Sequence, residues 1–80
     1  MIAVSIKFLR RQCPRYEWRA EHHGMGYQYI GTRHISPKHV RIVRVYAEAR
    51  LCGPSEDDFA TVWMVDDGSR RESLSSWAYK

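Results

Sequence analysis

Apolar and polar residues alternate in four stretches of the chain, at positions 2–9, 16–23, 27–35 and 71–79. Alternation with a period of two is typical of a β-strand that buries one face. A continuous apolar run follows at positions 59–65, and its content of Val, Phe and Trp is typical of a buried strand. The pattern predicts five strands, with the run at 59–65 central in the sheet and the stretch at 71–79 at its edge.

Turn signals separate these strands. Gly24-Met25-Gly26 lies between the second and third strands, so we expect these two to form a hairpin. Asp66-Asp67-Gly68-Ser69 contains the Asp-Gly pair that favours another hairpin. Positions 10–15 predict a basic loop and positions 55–58 an acidic loop. Gly31 lies inside a predicted strand, which indicates a bulge or the close approach of another backbone.

The segment 37–52 carries helix signals at both ends. Ser36-Pro37 combines a preferred N-cap with a proline at the first helical position, and Gly53-Pro54 would end such a helix. Its apolar stripe would consist of Val40, Val43, Ala47 and Leu51. A strand is the competing interpretation, because the segment is rich in β-branched residues. The alternation is irregular, however, and the two caps favour a helix.

These elements predict an α+β fold in a single domain, residues 1–80. The order is β-β-β-α-β-β, with one helix and a mostly antiparallel sheet of four to five strands. Ile42, Val45 and Ala49 would lie on the far side of the helix, where one sheet cannot cover them all. A second contact surface, such as the partner in a homodimer, would cover them.

Length and composition narrow the range of functions. The 80 residues (9.5 kDa) suffice for one small domain, and 44% hydrophobic with 28% charged residues is a globular composition. No stretch reaches the roughly 18 apolar residues that span a bilayer. The N-terminal run also lacks the basic flank and the cleavage site of a signal peptide. We therefore expect a cytoplasmic protein without membrane contact.

Residue types that support catalysis or metal binding lack the spacing that such sites need. The zinc-competent residues are Cys13, His22, His23, His34, His39 and Cys52, and they contain no closely spaced Cys pair with a matching His pair. The paired acids lie in predicted turns, where no other acidic cluster meets them. We expect no metal, no cofactor and no enzymatic activity.

Charge is unevenly distributed along the chain. Positions 1–50 hold ten basic and three acidic side chains, whereas positions 51–80 hold three basic and six acidic ones. Ten of the cations are Arg, which binds phosphates and carboxylates through paired hydrogen bonds. The predicted partner-binding patch consists of Arg10, Arg11, Arg15, Arg33, Arg41 and Arg44. An alternative acidic patch consists of Glu56, Asp57, Asp58, Asp66 and Asp67.

Two binding functions are compatible with this distribution. A protein-binding domain needs exposed Arg, Trp and Tyr, which are enriched in interface hot spots, and the chain has many of them. A small basic nucleic-acid-binding module would use the arginines for phosphates and Tyr27, Tyr29 or Trp77 for base stacking. The chain contains no RNP, KH, zinc-finger or helix-turn-helix signature. We therefore expect protein binding, with nucleic-acid binding as the alternative.

The length of 80 residues, the hairpins at Gly24-Met25-Gly26 and Asp67-Gly68 and the helix at Ser36-Pro37 together resemble a group of small phage proteins. These are compact sheet-plus-one-helix inhibitors of host complexes, including some anti-CRISPR proteins. The resemblance covers most of the chain and implies stoichiometric binding to a nucleic-acid-guided CRISPR effector in the host cytoplasm, which would block the recruitment of target DNA. The arginines would then meet an acidic protein surface or hold DNA. Alternatively, the acidic patch would fill the effector's DNA groove as a phosphate mimic.

Overall fold

The computed structural model describes residues 4–24 and 26–78 of the chain. Its elements are α1 (Ile6–Gln12), β1 (Glu17–His23), β2 (Gly26–Ser36), β3 (His39–Leu51), β4 (Phe59–Asp66), β5 (Arg71–Ser73) and α2 (Leu74–Ala78). Neighbouring strands pair antiparallel in the order β1-β2-β3-β4-β5. The predicted α+β class with a mostly antiparallel sheet is confirmed. The structure has two short helices rather than the one predicted, and neither lies at the predicted position.

The turns confirm both predicted hairpins. Gly24 and Gly26 flank the turn from β1 to β2, and Met25 between them lies outside the described residues. The turn from β4 to β5 contains Gly68, whose φ of +93° favours glycine. Gly31 permits a close approach, although by a side chain rather than a backbone. A Cβ built on Gly31 would lie 2.7 Å from Cζ3 of Trp18 on β1.

The predicted helix over 37–52 is wrong, because this segment forms β3, the central strand. Pro37 and Lys38 form the tight turn from β2 to β3, with Ser36 paired to His39. Ser-Pro favours turns as well as helix starts, so the dipeptide is compatible with either element. Val43 and Val45 are buried on one face of β3, Val40 and Ile42 are exposed on the other, and pairing with both β2 and β4 overrides the local cap signals.

The predicted strand over 2–9 is wrong in its described part, which forms the helix α1; positions 2 and 3 lie outside the described residues. Ser5 is the N-cap, and its Oγ accepts a hydrogen bond from the Phe8 amide at 3.1 Å. At the other end the Cys13 amide donates to the Leu9 carbonyl at 2.8 Å. Ser5 is therefore an N-cap, and the alternation of apolar residues around it suggested a strand instead.

The C-terminal elements differ in part from the prediction. β4 confirms a strand at 59–65, but it is next to last in the sheet rather than central. The predicted edge strand over 71–79 is wrong beyond Ser73, where the chain enters α2; position 79 lies outside the described residues. The Ser73 Oγ accepts a hydrogen bond from the Ser76 amide at 3.3 Å, which caps α2 and stops the strand.

The core is small and lies between the two helices and one side of the sheet, which we call the helix face. Its buried residues are Val4, Leu9, Cys13, Trp18, Val43, Val45, Val65 and Leu74. The opposite side, which we call the open face, has no helix residue in this core cluster, and of its apolar residues Ile30 and Met64 are buried whereas Ile42 is exposed. Strand pairing therefore assigns the odd-numbered residues of β2, β3 and β4 to the helix face.

The molecule is elongated, with extents of 50 × 23 × 22 Å. The hairpin of β3 and β4 continues beyond the core, and all strand residues at its end, 49–51 and 59–61, are exposed. We call this end, together with the loop 52–58, the arm. None of the helices in the described part of the chain has the length and apolar character needed to cross a membrane.

Candidate functional site: an arginine groove

A groove with a volume of about 440 Å³ lies at the end of the sheet away from the arm. Its walls come from the α1–β1 loop, from facing residues of β2 and β3, from the β4–β5 turn and from α2. Its charged lining residues are Arg15, Arg33, Arg41, Asp67, Arg70 and Glu72. Four cations against two anions give the groove a net positive charge. We call it the arginine groove.

Two of these arginines repel each other across the sheet. Arg33 of β2 and Arg41 of β3 are direct cross-strand partners, and both project from the helix face. Like charges in this position destabilise a sheet by roughly 0.2–1 kcal/mol. Neither guanidinium has a hydrogen bond or an ion pair with another described residue. An anionic ligand between them would remove the repulsion.

The arginines of the open face differ, because each of them has a partner within 3.3 Å. The pairs are Arg19 with Glu21, Arg44 with Asp66, Arg50 with Glu48, and Arg71 with the hydroxyl of Tyr46. The guanidinium of Arg44 also lies 4.8 Å from the centre of the Tyr46 ring. Among residues 4–24 and 26–78, the arginines of the open face therefore have partners, whereas Arg33 and Arg41 on the helix face have none.

Aromatic side chains form one wall of the groove. Tyr16 and Trp77 are half-buried in its lining, with ring centroids 5.5 Å apart. Trp18 lies behind them, 5.7 Å from the Tyr16 ring and 6.4 Å from the Trp77 ring. Its indole Nε1 donates to the Cys13 carbonyl at 3.1 Å. This bond ties the loop that carries Arg15 to the sheet.

The Asp67 carboxylate is occupied by its own turn. Its Oδ1 accepts hydrogen bonds from the amides of Ser69 and Arg70, each at 3.0 Å, and from the Ser69 hydroxyl at 2.8 Å. These bonds, with the Ser69 amide first, lower the pKa of Asp67 to about 2. The other acid, Glu72, lies 3.7 Å from the Arg70 guanidinium. Both acids therefore hold the turn and Arg70 in place.

The groove wall also contains a thiol. Burial raises the pKa of Cys13, which keeps its thiol protonated at neutral pH, whereas nucleophilic cysteines have a lowered pKa. Within residues 4–24 and 26–78, no cluster of three or more His, Cys, Asp or Glu side chains could hold a metal ion. The groove presents guanidinium groups and aromatic rings to a ligand.

The six arginines predicted from the sequence occupy three places. Arg15, Arg33 and Arg41 line the groove, Arg10 and Arg11 are exposed in the last turn of α1, and Arg44 lies on the open face. The helix α1 leads directly into the groove wall at Gln12. The structure thus brings three of the six together and places two others on the adjoining helix.

The predicted acids are split between the two ends of β4. Glu56, Asp57 and Asp58 lie in the loop of the arm, and Asp66 and Asp67 lie at the opposite end. The eight residues of β4 place these groups about 26 Å apart. They do not form one acidic surface.

The predicted stacking residues are also separated. Trp77 lines the groove, whereas Tyr29 lies against the core and donates its hydroxyl hydrogen to the Val4 carbonyl at 3.1 Å. Tyr27 is exposed, and its ring centroid lies 4.5 Å from that of His22. Of the three, only Trp77 accompanies the unpaired arginines.

Sequence reasoning missed Arg70 and Tyr16 in this site. Arg70 follows the predicted Asp67-Gly68 turn directly, and Tyr16 follows the predicted basic loop. The sequence signal that could have identified them is that each directly follows a predicted turn or loop. The turns meet at one end of the sheet only in the observed strand order.

No family model, no curated protein and no solved structure matches this chain. The resemblance to phage inhibitors stays a prediction, and the candidate site stands on the geometry of the arginine groove.

Proposed function

We propose that the chain is a non-enzymatic binding domain whose arginine groove holds the phosphate backbone of a single-stranded nucleic acid. The observation that carries the proposal is the cross-strand pair of Arg33 and Arg41, which face each other without an acidic partner among the described residues. Guanidinium groups bind phosphate oxygens through two parallel hydrogen bonds. A phosphate between the two would exchange a repulsion for two charge-assisted contacts.

The groove aromatics favour a single strand over a duplex. Proteins that bind single strands combine a positively charged groove with aromatic rings on which bases stack. Tyr16 and Trp77 lie in the same lining as the unpaired arginines and keep part of their ring surface accessible. In a duplex the bases are paired and stacked inside, so only the phosphates would use this site. The cytoplasmic location predicted from the sequence is part of this proposal.

Fluorescence anisotropy tests the proposal. Labelled single-stranded DNA, duplex DNA and single-stranded RNA are titrated with the full chain at low and at moderate salt. We expect single strands to bind more tightly than the duplex, and binding to weaken steeply with salt as phosphate contacts do. The double variant Arg33→Gln with Arg41→Gln should lose at least tenfold in affinity, because each hydrogen bond to a charged group contributes about 1.5–3 kcal/mol.

A matched control separates the groove from overall charge. The double variant Arg19→Gln with Arg50→Gln removes the same charge from the open face, where both arginines already have acidic partners. It should keep affinity within about threefold, since rim charges contribute mainly through long-range attraction. Equal losses in the two double variants would contradict a site in the groove.

The stoichiometric inhibitor is a second candidate function, favoured by the position of Arg10 and Arg11. They are exposed on α1 next to the groove wall, so cations extend beyond the concave site onto a helix surface. Such a continuous basic surface also suits carboxylates of an acidic protein. The anti-CRISPR mechanism would be tested by adding the chain to a purified CRISPR effector and measuring target-DNA binding. Unchanged DNA binding at a molar excess of the chain would remove this candidate.

A further inference from the structure

A second cavity, with a volume of about 230 Å³, adjoins the arginine groove. Its walls come from α1 and α2, from β4 and from the residues that lead into the two helices. We call it the apolar pocket. Gln12, the last residue of α1, and Ala78, the last residue of α2, line both cavities. A ligand that extends along the groove past these two residues therefore reaches the mouth of the apolar pocket.

The apolar pocket differs from the groove in charge. None of the described residues that line it is charged, and its wall includes Val4, Phe8, Trp63 and Leu74. A phosphate would lose its hydration there without gaining a cation, and burial of an unpaired charge is costly. The pocket is also smaller than the roughly 300–1,000 Å³ of sites that hold drug-sized ligands. These properties favour one uncharged ring system as the occupant rather than a whole nucleotide.

Two aromatic side chains give this pocket a surface on which a flat ring can stack. Phe8 and Trp63 line it, and both are half-buried. The Trp63 ring stacks on Tyr29, with ring centroids 6.0 Å apart. Tyr29 in turn donates its hydroxyl hydrogen to the Val4 carbonyl at 3.1 Å, which fixes the chain next to α1. Bases of single-stranded nucleic acids stack on such side chains. Trp63 is therefore held in position for stacking.

One polar side chain at the rim of the apolar pocket remains available to a ligand. Of the three polar side chains in the lining, Ser73 and Ser75 lie 3.3 Å apart through their Oγ atoms, and the Ser73 Oγ also caps α2. Gln12 is exposed, and its side chain has no hydrogen bond to another described residue. A primary amide offers donors and an acceptor, which adenine matches through N6 and N7. The rim therefore favours adenine among the bases.

We propose that the apolar pocket takes one adenine base of the strand whose phosphates lie in the arginine groove, with the Gln12 amide on N6 and N7. The inference rests on the proposed function, because the strand in the groove brings the base to the rim. Gln12 lies three residues before Arg15 on the same groove wall, so one short segment carries a base contact and a phosphate contact. Phosphate contacts carry no sequence information directly. The pocket adds a base preference to them.

Fluorescence anisotropy with homopolymers tests this inference on the full chain. Labelled single-stranded oligomers of dA, dT and dC, equal in length, are titrated with the protein at the same low salt concentration. The dA oligomer should bind about fivefold more tightly than the others or better, because a bidentate contact from glutamine to adenine discriminates by at least that factor. An oligomer of 7-deaza-adenine keeps the ring system but lacks N7, and it should lose most of this preference.

A variant and a matched control assign the preference to the pocket. Gln12→Leu removes the amide at nearly constant side-chain size, and it should bring the dA oligomer to within about twofold of dT and dC. Affinities for dT and dC should not change. Gln28→Leu makes the same change in a side chain that is buried on the open face. Its Oε1 has no hydrogen-bond partner among the described residues, so the preference for dA should remain.

The outcomes separate this inference from the proposed function. Equal affinities for the dA, dT and dC oligomers would overturn the inference, as expected if an apolar side chain fills the pocket, while the groove proposal would stand. A preference for dA that persists in Gln12→Leu would place the base contact elsewhere. If that variant does not fold, equal binding of the dA and 7-deaza-adenine oligomers to the wild type would overturn the inference. No binding of any oligomer would refute the proposed function and the base pocket together.

Discussion

The two ends of β3 differ in what surrounds them, although one strand connects them. At its start Arg41 faces Arg33 inside a groove built by four other elements and turns. About 26 Å further along, Ala49 and Leu51 lie on an arm that neither helix covers. At the groove end, the guanidinium groups of Arg33 and Arg41 lie among packed loops and aromatic rings. At the arm end, apolar side chains such as Leu51 and Phe59 are exposed.

This difference shows where an 80-residue chain can build a binding site. A site for a small charged group needs fixed donors, so it is built where Trp18, Tyr16 and the Asp67 turn hold the loops. The strand residues at the end of the arm, 49–51 and 59–61, are all exposed, so no comparable packing holds side chains in place there. Changes at one end should therefore leave the other largely unaffected, and the following variants examine that separation.

Leu9→Ala should have the largest effect. Leu9 is fully buried in the core, and the cavity that Leu9→Ala leaves should lower the free energy of unfolding by about 2–5 kcal/mol. Leu51→Ala removes the same atoms from the arm, where the side chain is 58% exposed, and should cost less than about 0.5 kcal/mol. Urea unfolding at low protein concentration measures both. Similar losses would contradict the contrast between the two ends.

Gly31→Ala should be next in size. The added Cβ would lie 2.7 Å from Trp18 Cζ3, so the indole must shift, and overpacking of this kind costs about 1–3 kcal/mol. Because Trp18 holds the Cys13 carbonyl, nucleic-acid affinity should fall as well. Gly26→Ala is the control, since its Cβ would meet no atom within 4 Å. An unchanged urea midpoint for Gly31→Ala would show that Trp18 does not support the groove.

Asp67→Asn should change how stability depends on pH. The folded-state pKa of Asp67 is about 2, below its unfolded value, so its contribution is complete above about pH 4 and is lost as the pH falls through about 2. The variant should be less stable than wild type at neutral pH, and the two should converge near pH 2. Asp57→Asn makes the same charge change in the arm as a control. A constant difference from pH 7 to pH 2 would refute the linkage.

Arg41→Thr should have the smallest effect and the opposite sign. Removing the repulsion with Arg33 should stabilise the unliganded chain by roughly 0.2–1 kcal/mol at low salt. Added inorganic phosphate should stabilise the wild type more than the variant, which would reduce or reverse the difference. Thermal unfolding with and without phosphate measures this. A less stable variant in the absence of anions would mean that Arg41 has a structural role.

The sequence predicted the strands that have a regular pattern of apolar residues. β1, β2 and β4 alternate or form a continuous apolar run, so the period of two identified them. β3 carries apolar residues on both faces, which makes its alternation irregular, so the ambiguous Ser36-Pro37 signal dominated the prediction. α1 is short, and its Ser5 cap lies within an apparent alternation.

The groove could be predicted only in part, because its residues are joined by the strand order. Arg33 and Arg41 are eight residues apart and become partners only if a hairpin separates them. A helix over 37–52 would have placed Arg41 elsewhere. Arg70 joins them through the β4–β5 turn, two strands away from β2. Charge composition identified the residue type, and topology determined which arginines meet.

Hydrogen exchange with mass spectrometry, with and without a single-stranded oligonucleotide, tests the central claim most directly, because it reports on both ends of β3 at once. Binding in the arginine groove predicts slower exchange in the α1–β1 loop, around Arg33 and Arg41 and in the β4–β5 turn. Exchange in the arm should not change. Slower exchange confined to the arm, or no change anywhere at saturating oligonucleotide, would contradict the assignment of the groove as the ligand site.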